Sequence, residues 1–467
     1  MHLVNDLVAA LRQIVGEANV IVDEVDVAPY VTDWRGRYSG TPLCVVRPNT
    51  TEEVSAVLAA CAAANIPLVP QGGNTGLCGG ATPIGGEVLL SLTRMNRVLA
   101  VDPENNSITV EAGCTLHTVQ EAAAQHGRLF PLSLAAEGSA TIGGNLSTNA
   151  GGVQVLRYGN ARDLTLGIEV VLADGRIWRD MRALRKDNTG YALKHLFIGA
   201  EGTLGVITAA TLKLFPQPSG RHVAWVALAS PAAAIALLAR LRDAIGDAVT
   251  AFELVSGIAL ELVLRYIPKV RAPLAGEHQW HALIEVSEYQ VSCGEPLQQV
   301  LTEAVTAGEV IDATIANSET QALMLWHLRE CISEAQRIEG VSIKHDISVP
   351  ISQIPRFIRD AEIALHAQFP DLRIVCFGHV GDGNLHYNLS KVDSASNQEF
   401  IGQAEPATRL VYDLVNLLGG SISAEHGIGQ LKRDELKIYK SELELELMRS
   451  IKQSLDPRGL MNPRKVL

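Results

Sequence analysis

The sequence lacks the features that mark membrane and disulfide-rich proteins. It has no run of 18 or more apolar residues, so we expect no membrane-spanning helix. Residues 1–6 lack the basic start and the apolar stretch of a secretion signal. The seven cysteines are scattered and form no Cys-x-x-Cys pair, which favours reduced thiols over a disulfide framework. Together these absences predict a cytoplasmic protein.

Positive charge is also in short supply. The chain has 39 Lys and Arg against 51 Asp and Glu, a formal net charge of -12, and no basic face stands out. A nucleic-acid-binding protein needs such a face, so we expect no nucleic-acid partner. The length of 467 residues is too great for one ordinary core and predicts two or three domains.

The standard nucleotide-binding motifs are missing as well. No Gly-x-Gly-x-x-Gly follows a predicted strand, and no Gly-x-x-x-x-Gly-Lys-Ser/Thr occurs, which disfavours a nicotinamide site or a P-loop. Two other glycine-rich segments are present instead, at residues 71–77 and 138–152. Glycine lets the main chain approach a ligand closely, and successive backbone N–H groups can surround an anion. These segments predict a cradle for a pyrophosphate.

The pattern of apolar residues predicts alternating strands and helices. Residues 42–46 and 66–70 are typical of strands, and Thr50 with Glu53 predicts a capping box for the helix between them. The proline-rich residues 216–218 predict a domain boundary, after which we expect an α+β sheet with helices on one face. From Phe400 onward the sequence predicts helices.

A second chemical signal lies near the C-terminus. His379 and His386 flank a turn that contains Asp382 and two glycines, and Glu425 with His426 follows further along. Two imidazoles and a carboxylate suit Zn²⁺, Mn²⁺ or a similar ion, with room for substrate oxygens. We therefore predict a divalent metal site at His379, His386 and Glu425, with Zn²⁺ as the expected ion.

The order of these motifs, with residues 158–160 and 199–208 between them, resembles the vanillyl-alcohol-oxidase type of FAD-binding oxidoreductase. Within it, the chain resembles the glycolate-oxidase-subunit and D-lactate-dehydrogenase branch, and most of all the D-2-hydroxyglutarate dehydrogenases. The resemblance implies an α+β fold. Its parts are a two-subdomain FAD-binding domain (1–218), an α+β, ferredoxin-like substrate or cap domain (219–400) and a C-terminal helical segment that returns to the FAD domain (401–467).

The same resemblance implies which residues bind FAD. The first glycine-rich segment holds the pyrophosphate, and later residues line the rest of the cofactor: Gly72, Gly73, Asn74, Thr75, Gly76, Leu77, Ser139, Thr141, Gly144, Asn145, Thr148, Glu201, Gly202, Ile207 and Asn462. Relatives with covalent flavin often carry histidine just after the paired glycines. Because this position is Asn74 here, we expect non-covalent FAD.

The resemblance also implies how the reaction is divided among side chains. His426 lies near the reacting hydroxyl and Asn384 near the substrate, with both counted as catalytic candidates. Arg329 and Lys344 match the positions at which the D-2-hydroxyglutarate dehydrogenases place the cations that bind the substrate carboxylates. Ser333 is a further expected substrate contact. Arginine suits this task because its guanidinium pairs with a carboxylate through two hydrogen bonds.

These expectations lead to an oxidation of a small D-2-hydroxy acid, most simply D-2-hydroxyglutarate to 2-oxoglutarate, by hydride transfer to FAD. His345 stands where that subgroup usually has an aromatic residue, so D-lactate and D-malate stay open as alternative substrates. There are two alternatives from other functional classes. One is a metal-dependent hydrolase whose glycine loops are purely structural, and the other is a flavin-binding subunit that acts as a scaffold. The resemblance implies an electron-transferring flavoprotein or a quinone as electron acceptor. The oligomeric state stays open, with a homodimer among the alternatives.

Overall fold

The computed structural model describes residues 2–289, 292–391 and 396–467. The chain forms two compact units. The first comprises Met1–Gly151, Gly159–Gln217 and Glu425–Leu467, and the second comprises Gly152–Tyr158 and Pro218–Ala424. Both contain helices and sheets, which confirms the predicted α+β class. The predicted domain boundaries stay predictions.

The strands, in chain order, are β1 (Val20–Ile21), β2 (Cys44–Val46), β3 (Leu68–Gln71), β4 (Val88–Ser91), β5 (Val98–Asp102), β6 (Ser107–Glu111), β7 (Arg128–Leu129), β8 (Thr165–Val171), β9 (Ile177–Asp180), β10 (Val206–Lys213), β11 (Phe215–Pro216), β12 (Gly220–Leu228), β13 (Val249–Ser256), β14 (Trp280–Glu288), β15 (Val310–Ile315), β16 (Ser342–Ile343), β17 (Asp346–Ser348), β18 (Leu372–His379) and β19 (Asn384–Lys391).

The helices are α1 (His2–Val15), α2 (Glu24–Val31), α3 (Thr51–Ala64), α4 (Leu116–Ala124), α5 (Ile142–Ser147), α6 (Val155–Tyr158), α7 (Lys194–Phe197), α8 (Pro231–Ile245), α9 (Gly257–Tyr266), α10 (Gly294–Thr306), α11 (Glu319–Glu330), α12 (Ile332–Glu339), α13 (Ile354–Gln368), α14 (Asn397–Gly402), α15 (Ala404–Leu417), α16 (Arg433–Tyr439) and α17 (Glu442–Leu455). None of the helices described is both long and apolar enough to cross a membrane.

The first unit contains two main sheets. In the four-stranded sheet, of order β1-β2-β4-β3, strands β2 and β3 both run parallel to β4. The five-stranded sheet, of order β5-β6-β10-β8-β9, is antiparallel. In parallel sheets, ligands bind beyond the carboxyl ends of the strands. The first glycine-rich segment begins at the carboxyl end of β3, so it lies where this rule expects a ligand.

Helix α3 begins as the sequence predicted, with one difference in detail. The side chain of Thr50 accepts a hydrogen bond from the backbone N–H of Glu53 (3.1 Å). The Glu53 carboxylate accepts from the N–H of Asn49 (2.7 Å) rather than from that of Thr50. The reciprocal bond of a capping box is therefore shifted by one residue, although two N–H groups at the start of the helix are still satisfied.

The second unit is built on one antiparallel sheet of eight strands. Its order is β15-β12-β14-β13-β18-β19-β16, with β17 also paired to β19. Strand register places chemically active residues next to one another: Glu253 of β13 pairs with His379 of β18, and Asp346 of β17 pairs with His386 of β19. The predicted metal-binding histidines are therefore on β18 and β19, between β13 and the short strands β16 and β17.

Helices cover both faces of this sheet, whereas the sequence predicted helices on one face. Strand β13 shows why, because all eight of its residues are buried. Alternate strand residues point to opposite faces, so a strand buried throughout needs cover on both. One face packs on α9, α11 and α12 through a core that includes Trp225, Leu283 and Phe377. Helices α8 and α13 contact β13 and β18 without joining that core, so they cover the other face.

Candidate active site

The two predicted metal-binding histidines lie on a β-hairpin. His379 ends β18, and His386 lies in β19, where it pairs with Phe377. The two imidazole rings are 6.2 Å apart between centroids. The hairpin requires glycine in the last part of β18 and in the connecting turn: a Cβ on Gly378 would lie 2.5 Å from the carbonyl oxygen of Asn384, and one on Gly383 would lie 2.4 Å from that of Val349. The glycines noticed in the sequence therefore bring the histidines together.

Glu425 joins these histidines. Glu425 directly follows Ala424 in the chain. The backbone N–H of Ala424 donates to the carbonyl oxygen of Asp346 (3.4 Å). The ligand-capable atoms of His379, His386 and Glu425 all lie within 4.8 Å of one another. The three residues that the sequence singled out for a metal are thus within reach of a single ion.

A second group of possible ligands shares one of these histidines. Asp346, His386 and His426 also have ligand-capable atoms within 4.8 Å of one another. Asp346 is buried, while the two histidines are half-buried. The predicted catalytic residue His426 therefore lies beside the predicted metal group, and a buried carboxylate accompanies it.

Glu253 connects His379 to Arg329. Its side chain is completely buried. One carboxylate oxygen lies 2.5 Å from Nδ1 of His379, and the other accepts a hydrogen bond from Nε of Arg329 (2.8 Å). Nη2 of Arg329 lies 2.8 Å from that second oxygen, and its guanidinium carbon is 4.9 Å from the centre of the Phe377 ring. The predicted substrate cation is thus held by a carboxylate that also contacts a metal-ligand candidate.

Two carboxyl groups at this site have shifted pKa values. Burial alone would raise the pKa of Glu253, but its electrostatic interactions and hydrogen bonds with His379 and Arg329 lower it to about 2. Burial raises the pKa of Asp382, in the hairpin turn, to about 6 despite the nearby His379. Strongly shifted carboxyl groups cluster at functional sites more often than elsewhere.

Asn384, which the resemblance puts near the substrate, begins β19. Its Nδ2 donates to Asp346 (3.1 Å) and to the carbonyl oxygen of Ile347 (3.0 Å). Its Oδ1 is buried and makes no hydrogen bond within the described chain. A buried acceptor of this kind needs a donor, and a substrate hydroxyl or an ion can satisfy it.

The other predicted substrate residues lie on the same unit. Lys344 is half-buried between β16 and β17, and Ser333 is exposed on α12. His345 is buried, with Nδ1 2.7 Å from the carbonyl oxygen of Tyr387 and Nε2 3.0 Å from Oγ1 of Thr408. The histidine that departs from the subgroup pattern therefore joins β19 to α15.

In the first unit, the two glycine-rich segments pack against each other. A Cβ on Gly73 would lie 1.8 Å from the carbonyl oxygen of Ser139, and one on Gly72 would lie 2.2 Å from Oγ1 of Thr141. Asn74 has a left-handed backbone (φ 52°), and its Nδ2 donates to the carbonyl oxygen of Thr32 (2.9 Å). Residues predicted to bind one cofactor from distant parts of the chain are therefore adjacent.

The second glycine-rich segment forms the short helix α5. Thr141 caps it with a hydrogen bond from the N–H of Gly144 (3.4 Å), and Oγ1 of Thr148 donates to the carbonyl oxygen of Gly144 (3.1 Å). Nδ2 of Asn145 is buried and has no hydrogen-bond partner within the described chain. This donor is the kind of group that a bound polar ligand satisfies.

Glu201 and Asn462 meet beside β3. Nδ2 of Asn462 donates to the carbonyl oxygens of Glu201 (2.7 Å) and Gly80 (3.0 Å), and its backbone N–H donates to that of Leu68 (2.8 Å). The C-terminus thus returns to the strand that leads into the first glycine-rich segment. The neighbouring Gly202 has φ 71°, and Ile207 is buried in β10.

Two family models match this chain. A model described as "FAD linked oxidases, C-terminal domain" matches residues 217–466, and one described as "FAD binding domain" matches residues 42–180. The first of these covers more than half of the chain. The chain belongs to the FAD-linked oxidases. It is therefore an FAD-dependent oxidoreductase.

The relatives of this FAD-linked oxidase include three named D-2-hydroxyglutarate dehydrogenases. The mitochondrial protein of Arabidopsis thaliana is 38% identical, over 98% of this chain and 81% of its own length. That of Xanthomonas citri pv. viticola is 38% identical over 98% and 96%, and the mitochondrial protein of Bos taurus is 39% identical over 99% and 83%. The resemblance noted in the sequence is confirmed at this level.

Solved structures confirm the vanillyl-alcohol-oxidase-type fold. p-Cresol methylhydroxylase matches with a TM-score of 0.79 at 19% identity, over 100% of this chain and 97% of its own. Alkyldihydroxyacetonephosphate synthase matches with a TM-score of 0.75 at 18% identity, over 98% and 84%. Identities this low relate the folds alone.

The residues of this FAD-linked oxidase fit their cofactor. Gly72 and Gly73 leave no room for a side chain because Thr141 and Ser139 of the second glycine-rich segment occupy that space, so glycine at these positions brings the two predicted FAD-binding segments together. Nδ2 of Asn145 and Oδ1 of Asn462 supply a buried donor and a buried acceptor, neither of which has a partner within the described chain. Both residues belong to the predicted FAD-binding set.

Two residues of the site were not predicted, Glu253 and Asp346. Glu253 is separated from His379 by 126 positions and lies in the apolar strand β13. A carboxylate among apolar strand residues was the available signal, because buried acids are rare unless they are paired. Asp346 follows Lys344 by two positions, and its importance comes from strand register rather than from a motif.

Proposed function

We propose that this FAD-linked oxidase oxidises D-2-hydroxyglutarate to 2-oxoglutarate with the help of a divalent metal ion, most simply Zn²⁺. The substrate follows from the relatives, which include D-2-hydroxyglutarate dehydrogenases at 38–39% identity. The metal follows from the donor set. Two imidazoles and one carboxylate within 4.8 Å form the usual protein half of a zinc site that keeps positions for substrate.

Each part of the reaction has residues to carry it. His379, His386 and Glu425 would hold the ion, and Asn384 offers a buried oxygen to a substrate hydroxyl. When bound, the metal would make that hydroxyl more acidic, and the FAD would accept the hydride from the carbon that carries the hydroxyl. His426 would take the hydroxyl proton on a ring nitrogen, since imidazole is the side chain that most often serves as a general base.

Arg329 and Lys344 would bind the substrate carboxylates. The position of Arg329 limits how it can do so, because Glu253 already pairs with its Nε and Nη2. A guanidinium has five N–H donors, so a substrate carboxylate would bind to the donors that Glu253 does not use. We therefore propose that Arg329 orients the substrate while Lys344 contributes charge. We also propose that electrons leave the flavin for an electron-transferring flavoprotein or a quinone.

The observation that carries this proposal is the convergence of His379, His386 and Glu425 in an FAD-linked oxidase. The test is anaerobic reduction of the bound flavin, followed by its absorbance, with D-2-hydroxyglutarate, L-2-hydroxyglutarate, D-malate and D-lactate. D-2-hydroxyglutarate should bleach the flavin fastest and its L-isomer should not. If D-lactate bleached the flavin equally fast or faster, the proposed substrate would be wrong and a monocarboxylate would take its place.

A further inference from the structure

Glu253 lies at a point where two functions meet. Strand pairing puts it directly across from His379, and a helix residue, Arg329, reaches it from α11. Burying a carboxylate is costly unless it is fully paired. Here it is paired on both oxygens, one facing an imidazole nitrogen and the other a guanidinium.

The contact with Glu253 decides which nitrogen of His379 can bind a metal. An ionised carboxylate only accepts hydrogen bonds, so Nδ1 of His379 must carry the proton in this contact. A neutral imidazole has one protonated nitrogen, so in this tautomer the ring's ligating lone pair is on Nε2. Carboxylates in this position fix the ring orientation and increase the basicity of the ligating nitrogen.

We infer that Glu253 is a positioning residue that fixes His379 as an Nε2 metal ligand and at the same time holds Arg329 in place. This inference rests on the proposed function, because it assumes that His379 binds a metal. Its content is specific: one buried carboxylate orders both a metal ligand and a substrate cation. Replacing it should disturb both.

The variant Glu253→Gln tests this with almost no change in volume. A glutamine side chain has one oxygen acceptor in place of two, so either His379 or Arg329 loses its partner. Loss of such an outer carboxylate typically weakens metal binding 10–100-fold. We expect a decrease of that size in Zn²⁺ affinity, measured on the FAD-loaded full chain by competition with a chromophoric chelator.

The chain offers a matched control in Glu285 on the neighbouring strand β14. It is buried, accepts from Nε1 of Trp326 (2.8 Å) and pairs with Arg221 (3.0 Å). It lies opposite Ala251, two residues from Glu253 on the same face of the sheet. Glu285→Gln removes a comparable buried charge, so it should lower the melting temperature in a similar way while Zn²⁺ affinity changes less than about threefold.

A second measurement needs no variant that might fail to fold. In ¹⁵N-histidine spectra of the wild-type protein, the His379 signal should show a protonated Nδ1, and Zn²⁺ should shift Nε2. Binding of Zn²⁺ through Nδ1, or Zn²⁺ affinity of Glu253→Gln within threefold of wild type, would overturn the inference. If the wild-type protein itself failed to bind Zn²⁺, the proposed function would fail first, so the two failures are distinguishable.

Discussion

Glu201 holds the backbone of Ile428 by its side chain. One carboxylate oxygen accepts from the N–H of Ile428 (2.7 Å), and the other accepts from that of Gly429 (2.8 Å). These residues lie just after Glu425 and His426 in the chain. The sequence assigned Glu201 to the FAD, and its main chain does lie beside Asn462. Its side chain, however, fixes the segment that carries the proposed ligand and base.

The first prediction concerns this contact. Glu201→Gln replaces one acceptor with an NH₂ group that faces a backbone N–H, so a buried donor is left unsatisfied. The free energy of unfolding should fall by about 1–3 kcal/mol. Because the segment 425–429 loosens, Zn²⁺ affinity should fall at least severalfold, which chelator competition can measure.

The control for this variant is Glu87→Gln. Glu87 is buried and its carboxylate accepts from the N–H groups of Ile84 (3.2 Å) and Gly85 (2.6 Å), the same type of interaction in another turn. It should lose similar stability and keep its Zn²⁺ affinity. If Glu201→Gln kept the same Zn²⁺ affinity as Glu87→Gln, Glu201 would stabilise the fold without positioning the metal-binding residues.

The second prediction separates the two possible ligand sets, which share His386. If Glu425 is the carboxylate ligand, Glu425→Gln should weaken Zn²⁺ binding by more than about tenfold. Asp346→Asn should change it much less. Titration of the metal-free proteins with Zn²⁺ gives both values. The reverse order of effects would assign the ion to Asp346, His386 and His426.

The third prediction concerns the attachment of FAD. Asn74, at the position where covalent relatives carry histidine, uses its side-chain amide to hold the carbonyl oxygen of Thr32. It offers no imidazole for a flavin bond, so acid precipitation of the purified protein should release all of its flavin into the supernatant. Yellow colour that stays with the precipitated polypeptide would show a covalent bond formed elsewhere.

The fourth prediction follows from a buried lysine. Burial lowers the pKa of Lys465 from 10.5 to about 8, although Glu87 acts in the opposite direction. Between these values the unfolded chain keeps a proton that the folded chain has lost, so this lysine destabilises the fold fully below pH 8 and less as the pH rises. Lys465→Met should therefore be more stable than wild type at pH 7, by up to about 3 kcal/mol at 1.4 kcal/mol per pKa unit.

Denaturant unfolding of the FAD-free proteins at pH 7 and pH 10 checks this prediction. The advantage of Lys465→Met should shrink at the higher pH, because the wild-type lysine is then neutral in the fold. A variant less stable than wild type at pH 7 would show that the charge of Lys465 makes a favourable contact.

The sequence predicted those parts of the site that are concentrated in short motifs. The glycine-rich segments and the pair His379 and His386 could be recognised because the residues of each motif are neighbours in the chain, and the turn glycines have steric reasons visible in the structure. Glu425 was found because it adjoins His426 in a similar glycine-containing stretch. Local sequence therefore carried the donor set.

The remaining parts depend on pairing between distant strands. Glu253 contacts His379 only because β13 and β18 are neighbours in the sheet, and Asp346 lies beside His386 only through the register of β17 and β19. Periodicity within one segment cannot reveal such neighbours. The same limit explains the two covered faces of the sheet, since β13 lacks the alternation that predicts a one-sided strand.

The central claim is that a metal ion held by His379, His386 and Glu425 is needed for the substrate to reduce the flavin. The most direct test is the anaerobic rate of flavin reduction by D-2-hydroxyglutarate in chelator-treated protein as Zn²⁺ is added back. The account predicts a slow rate without metal that rises in proportion to Zn²⁺ and levels off at about one equivalent. Full-rate reduction of the flavin in the metal-free protein would contradict it.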